Sequence, residues 1–103
     1  MATELTHSTT ATTPGPIAIS FGASPIGGMN GSVELDTATS ATVRMQLRTH
    51  ANAGWVNSQS VVLDTVTQPI ANIPVYPPYA EARWDVVAVT GGSIKLNAIG
   101  VGA

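Results

Sequence analysis

The sequence predicts an all-β protein, a single antiparallel β-sandwich of jelly-roll or immunoglobulin-like topology with a flexible N-terminal arm. Three observations predict it. Apolar and polar residues alternate with period two along much of the chain. Residues that permit or fix turns recur between the alternating stretches, and no segment has a helical period. With 103 residues, folding buries enough surface for one core and not for a second.

The elements follow in order. Residues 1–16 are dominated by Thr and Ser and end in Pro14-Gly15-Pro16, too little apolar area to offset the entropy of ordering, so they read as an arm. The sandwich domain is then expected over 17–103. Ile17, Ile19 and Phe21 alternate with Ala18 and Ser20, and Val33 and Leu35 alternate with Glu34 and Asp36, which predicts two strands. Between them Gly22, Pro25, Gly27, Gly28, Asn30 and Gly31 predict a loop. From Ala41 to Thr49 the inward set is Val43, Met45 and Leu47, and the outward set is Thr42, Arg44, Gln46 and Arg48. After a turn at His50-Ala51-Asn52-Ala53, short strands are expected at Gly54-Trp55-Val56 and over Val61 to Val66. Pro69, Pro74, Pro77 and Pro78 exclude a central strand over 69–78 and allow at most an edge strand around Ile70 to Ile73, with Pro74 to Tyr79 as a crossover loop. From Ala80 the alternation returns, with Ala82, Trp84, Val86 and Ala88 facing in. Gly91-Gly92 turns the chain into a last strand whose Ile94, Leu96 and Ala98 also face in. The expected core is Val43, Met45, Leu47, Trp84, Val86, Ile94 and Leu96.

Composition narrows the function. Only 10% of the residues are charged, against roughly 25% in an average soluble domain, and the net charge is −2. That basic potential is too small to hold a phosphate backbone, so nucleic acid is not an expected partner. The absence of cysteine removes disulfides, thiolate zinc sites and a Cys nucleophile. The first residues have neither a basic nor an apolar stretch, and no apolar run approaches the ~18 residues of a membrane span, so no membrane association is expected. Thr, Ser, Ala, Val and Asn stand at many positions where a monomeric sandwich shows Lys or Glu, which favours surfaces covered by other copies and hence a homo-oligomer, expected as a trimer.

No catalytic, cofactor-binding or metal site is expected. Glu34 and Asp36 lie two apart on one strand and share a solvent face, and Glu81, Arg83 and Asp85 form a ladder along one face that helps to fix pairing register. His7 and His50 have no second ligand at a metal spacing. No Gly-x-Ser-x-Gly elbow is present, and the Gly-rich run Gly22 to Gly28 lacks the Lys of a phosphate loop. Trp55, Trp84, Tyr76 and Tyr79 are the residues from which a sugar-stacking platform would be built. Trp84 reads instead as core and the tyrosines as loop packing, which leaves Trp55 free.

The segments Ala41 to Leu47, Gly54-Trp55-Val56, Ala80 to Val86 and Thr90 to Leu96 together resemble small β-sandwich virion proteins of tailed bacteriophages, over roughly residues 41 to 99. In that pattern an alternating strand leads into a Gly-Trp turn, and an Arg-bearing strand is joined by a Gly-Ser hairpin to the last strand. The likeness is strongest to capsid decoration, or cement, proteins. It implies a non-enzymatic structural protein without cofactor, made in the host cytoplasm, that binds the outside of a phage head as an oligomer and stabilises the shell. The implied partners are further copies of the chain and the major capsid protein. The capsid-contact candidates are Thr3, Leu5, Thr6, His7, Thr9 and Thr10 of the arm. A tail or fibre accessory module and a carbohydrate-binding β-sandwich module are the alternatives.

Overall fold

The computed structural model describes residues 3–19, 28–50, 52–76 and 81–102. Eight strands carry the fold: β1 (Thr3–Ala11), β2 (Gly15–Ala18), β3 (Met29–Leu35), β4 (Ser40–Arg48), β5 (Val56–Asp64), β6 (Ile70–Val75), β7 (Glu81–Thr90) and β8 (Ile94–Gly102). They form two four-stranded antiparallel sheets, the first in the order β1-β8-β3-β6 and the second in the order β2-β7-β4-β5. First strand pairs with last, second with seventh, third with sixth and fourth with fifth, and the pairs alternate between the sheets. That nested winding is the jelly roll, and it resolves the choice that the sequence left open.

The core lies between the sheets. Val43, Met45, Trp84, Val86, Ile94 and Leu96 of the expected set are fully buried, and they are joined by Val33, Leu63 and Ile73. Leu47 is half-buried and packs at the margin of this cluster. Trp84 on β7 reaches across to β3, where a Cβ on Gly31 would lie 2.4 Å from its ring. Asn30 and Gly31, read as loop, therefore belong to β3. Gly31 is a packing glycine, absent a side chain so that the indole can fill the space, and composition alone does not separate that role from a turn.

Residues 1–16, read as an arm, are corrected most. Thr3–Ala11 pairs along its whole length with β8, from Thr3 opposite Gly102 to Ala11 opposite Ile94, and Gly15 and Pro16 open β2. Leu5, His7 and Thr9 are half-buried and Ala11 is buried, whereas Thr6, Ser8 and Thr10 are exposed. The period of two is present but is written in Thr, Ser, His and Ala. The β-branched threonines suit a pleated half-buried strand without supplying an apolar signal.

Further differences follow from bulges and edges. The β4–β7 register shifts between Thr42 and Val43, so that Thr42 faces Ala88 while Val43 faces Val86 and Val87 is the extra residue. Beyond this bulge the faces exchange: Ala88, expected inside, is exposed and Val89 packs against the core. A second shift between Met45 and Gln46 leaves Ser58 as the extra residue of β5, which runs unbroken from Val56 and ends before Val66. Pro74 and Val75, expected in a loop, extend β6, whose edge position tolerates a proline. The expectations placed on Phe21, on Gly22 to Gly27 and on Pro77 to Ala80 lie outside the described residues.

One end of the sandwich is closed by backbone hydrogen bonding. The amides of Asp36, Thr37 and Ala38 all donate to the Ser93 carbonyl at 3.0 to 3.1 Å, and the Ser93 amide donates to Thr37 Oγ1 at 2.8 Å. Gly92, with φ +153°, allows this approach, since a Cβ there would lie 2.3 Å from Thr37 Oγ1.

Candidate interaction surfaces

The outer face of the second sheet is built by β7, β4 and β5. Period-two alternation turns Arg44, Gln46 and Arg48 of β4 outward, and the register sets them opposite Asp85, Arg83 and Glu81 of β7. Arg44 donates to Asp85 at 2.5 Å and Arg48 to Glu81 at 2.8 Å. Between these ion pairs Gln46, only 8% exposed, accepts from Arg83 Nε at 2.7 Å and donates to Asn57 Oδ1 of β5 at 2.9 Å. The expected ladder over Glu81, Arg83 and Asp85 is thus completed by β4, and its polar bonds reach three strands. Trp55 is not free: the guanidinium carbons of Arg48 and Arg83 lie 4.5 and 4.3 Å from its ring centroid. Two cations over one indole occupy surface on which a sugar ring would stack.

The outer face of the first sheet is different. Ser8, Asn97, Ser32 and Asn72 stand opposite one another on β1, β8, β3 and β6, which makes a neutral row across all four strands. Ser8 donates to Asn97 Oδ1 at 2.6 Å. The row floors a shallow depression of about 340 Å³, beside a second of about 540 Å³ bordered by Asn30, Pro74, Tyr76 and Ile99. At one end of this face Lys95 lies 3.9 Å from Glu34 and 4.0 Å from Asp36. Both carboxylates share the solvent side, as their spacing requires.

Of the contact candidates on β1, Thr6 and Thr10 are exposed on this outer face, while Leu5, His7 and Thr9 turn toward the interior; the side chain of Thr3 is outside the described residues. His7 Nδ1 and the indole nitrogen of Trp84 are buried without a hydrogen-bond partner. His50 serves its turn, accepting from the Asn52 amide through Nδ1 at 3.1 Å. Among the described residues no three of His, Asp and Glu come close enough to hold a metal ion.

The sequence reading missed exposed apolar side chains on β5 and its following turn, at the outer face of the second sheet, and on β6, at the outer face of the first. Val56 is 67% exposed, Val62 62%, Val66 88% and Ile70 50%, and Tyr76 at the end of β6 is 77% exposed. Asp64 braces the turn between these strands. It accepts from the hydroxyl of Thr67 at 2.5 Å and from the amides of Thr67 and Val66 at 2.7 and 2.8 Å. Those bonds, the Thr67 hydroxyl first, hold its carboxyl below its ordinary pKa of 3.8.

No known protein family and no curated protein matches the sequence. Solved structures do match over nearly the whole chain. The crystal structure of the SPBc2 prophage-derived protein YomS is 13% identical with a TM-score of 0.62, over 99% of this chain and 96% of that one. The crystal structure of PirA is 18% identical with a TM-score of 0.54, over 97% and 95%. A subunit from a structure described as Bacillus endospore appendages forming a novel family of disulfide-linked pili is 15% identical with a TM-score of 0.51, over 97% and 86%. At these identities the likeness is one of fold.

Proposed function

We propose that this chain is a structural subunit of a virion-type particle, acting as a capsid decoration protein that binds the outside of a phage head as an oligomer and stabilises the shell. The observation that carries the reading is the combination of a whole-length fold likeness to a prophage-derived protein with a sequence of which only 10% is charged. Surface so poor in charge gains by being covered, and repeated copies on a shell cover it. The pili among the similar structures are described as disulfide-linked, a chemistry closed to a chain without cysteine. Assembly here rests on non-covalent burial and sheet contacts, and the role is one of binding rather than catalysis.

Because β1 is a strand of the first sheet, shell contacts fall to its outward residues Thr6 and Thr10 and the neutral row beside them, not to a detachable arm. The test mixes the protein with undecorated phage heads and measures copies bound and shell survival on heating. Stoichiometric binding with added heat resistance is expected, and failure to bind rejects the decoration role. A carbohydrate-binding role is the second reading, favoured by Tyr76, an exposed aromatic beside the amide-lined depressions. Retention on neutral glycans that Tyr76→Ala abolishes, with no binding to shells, would put it first.

A further inference from the structure

The outer face of the first sheet carries two adjacent rows of different chemistry. The strand register sets Thr6, Ile99, Asn30 and Pro74 side by side across β1, β8, β3 and β6, parallel to the row of Ser8, Asn97, Ser32 and Asn72. Residues of one face recur at every second position, so the rows lie roughly 7 Å apart at about 3.4 Å per residue. The Ser and Asn row offers hydrogen bonds. Its neighbour is apolar at Ile99, 43% exposed, and at Pro74, and just past the end of β6 the ring of Tyr76 is 77% exposed. Asn30, Asn72, Pro74, Tyr76 and Ile99 all border the larger depression, so amides and apolar groups meet at one place. Its volume of about 540 Å³ lies within the range of small-molecule sites, about 300–1,000 Å³.

Charge and strand pairing narrow what fits there. Neither row contains an acidic or a basic side chain, and Lys95, in the row beyond, lies within 4.0 Å of Glu34 and Asp36. A phosphate, sulfate or carboxylate finds no partner in the rows. An extended peptide docks on a sheet through unpaired main-chain groups, whereas β8 and β3 beneath the rows are paired on both sides. A pyranose ring matches both rows at once. Its hydroxyls, like the Asn amides, both donate and accept, and its C–H groups form an apolar face suited to an aromatic ring.

We propose that the β3–β6 half of this face binds a neutral polysaccharide, with the C–H faces of its hexopyranose units on Tyr76, Pro74 and Ile99 and its hydroxyl edge on the amides of Asn30 and Asn72. The rows continue across β8 to β1, roughly 14 Å at about 4.8 Å per strand, which accommodates a length of chain and not only its end. This inference deepens the carbohydrate-binding reading above, since it names the ligand class and the two rows that select it. It does not depend on shell attachment, because Thr6 and Thr10 lie on β1 at the opposite edge of the sheet.

Affinity electrophoresis tests it, with the whole chain run through gels containing soluble β-glucan, galactomannan, dextran or the polyanion alginate. At least one of the three neutral polysaccharides should retard the protein, and alginate should not. Tyr76→Ala and Asn72→Ala, both at exposed positions, should keep the melting transition and each weaken the retardation at least tenfold, while Trp55→Ala on the other sheet should leave it unchanged. Retardation that survives Asn72→Ala, or that is lost with Trp55→Ala, would overturn this site and leave carbohydrate binding itself standing. No retardation by any neutral polysaccharide, or retardation by alginate alone, would overturn both. Shell binding that persists in that case would leave the decoration role intact.

Discussion

The outer face of the second sheet holds Arg44 against Asp85, Arg48 against Glu81, and Gln46 between Arg83 and Asn57, whereas the outer face of the first sheet crosses its four strands with Ser8, Asn97, Ser32 and Asn72. Both are polar, but they do different work. On the second sheet each outward charge finds a partner one strand away, so the pairs specify register and leave little unsatisfied for an outside molecule. On the first sheet short neutral side chains specify register weakly and keep their hydrogen-bonding capacity toward solvent. A face that is braced within itself supports the fold, and a face that is not is the one open to a partner.

The comparison breaks first at the core that both faces share. Trp84→Ala should lower stability by about 3–5 kcal/mol, because it empties the space between β7 and β3. Chemical denaturation measures this, and a loss near zero would mean that the indole is not what holds the sheets together. Gly31→Ala should cost about 1–3 kcal/mol, since the new methyl group meets the Trp84 ring and one of the two must shift. An unchanged denaturation midpoint would show that β3 gives way without resistance.

Two outward substitutions then sharpen the contrast. Asp85→Ala should cost about 1 kcal/mol, as Arg44 is partly exposed and can recover water, and the loss should shrink as salt is raised. Asn97→Ala on the neutral row should stay within about 0.5 kcal/mol and show no salt dependence. Equal losses and equal salt responses for the two, read from denaturation curves at low and high ionic strength, would remove the distinction between the faces.

How much of this was legible in the sequence depends on whether a residue's role is local. The alternation of β4 is written in Val, Met and Leu against Arg, Gln and Thr, and it reads directly. Trp84, Val86, Ile94 and Leu96 were identified as core for the same reason. The period of β1 is carried by Thr, Ser, His and Ala, whose apolar contrast is too small to see. Gly31 has a glycine's sequence signature but serves a distant tryptophan. Ala88 and Val89 exchange sides because of a bulge that depends on the partner strand. Of the surfaces, the charge ladder was half legible: Glu81, Arg83 and Asp85 share a face by spacing, but the residues opposite them depend on which strand is the neighbour. The guanidinium groups over Trp55 arise only once strand order exists.

The nested winding of the jelly roll also sets an order in time. The β4–β5 pair closes a short connection, and each pair outside it closes a shorter effective loop once the inner pairs have formed, whereas β1 meeting β8 directly from the unfolded chain must close a loop nearly as long as the chain. Assembly is therefore expected to proceed from the middle of the sequence outward, with folding on the order of milliseconds to seconds, as is general for sheets built from distant segments. The last pair made is the first to part. Amides bonding β1 to β8 should exchange with deuterium through small local openings, while those in the β4–β7 ladder should exchange only with global unfolding. Equal protection of the two ladders would show that the roll opens as one piece. If they differ, the strand next to Asn97 and the neutral row is the part of the molecule that a neighbour has the opportunity to trap in the act of opening.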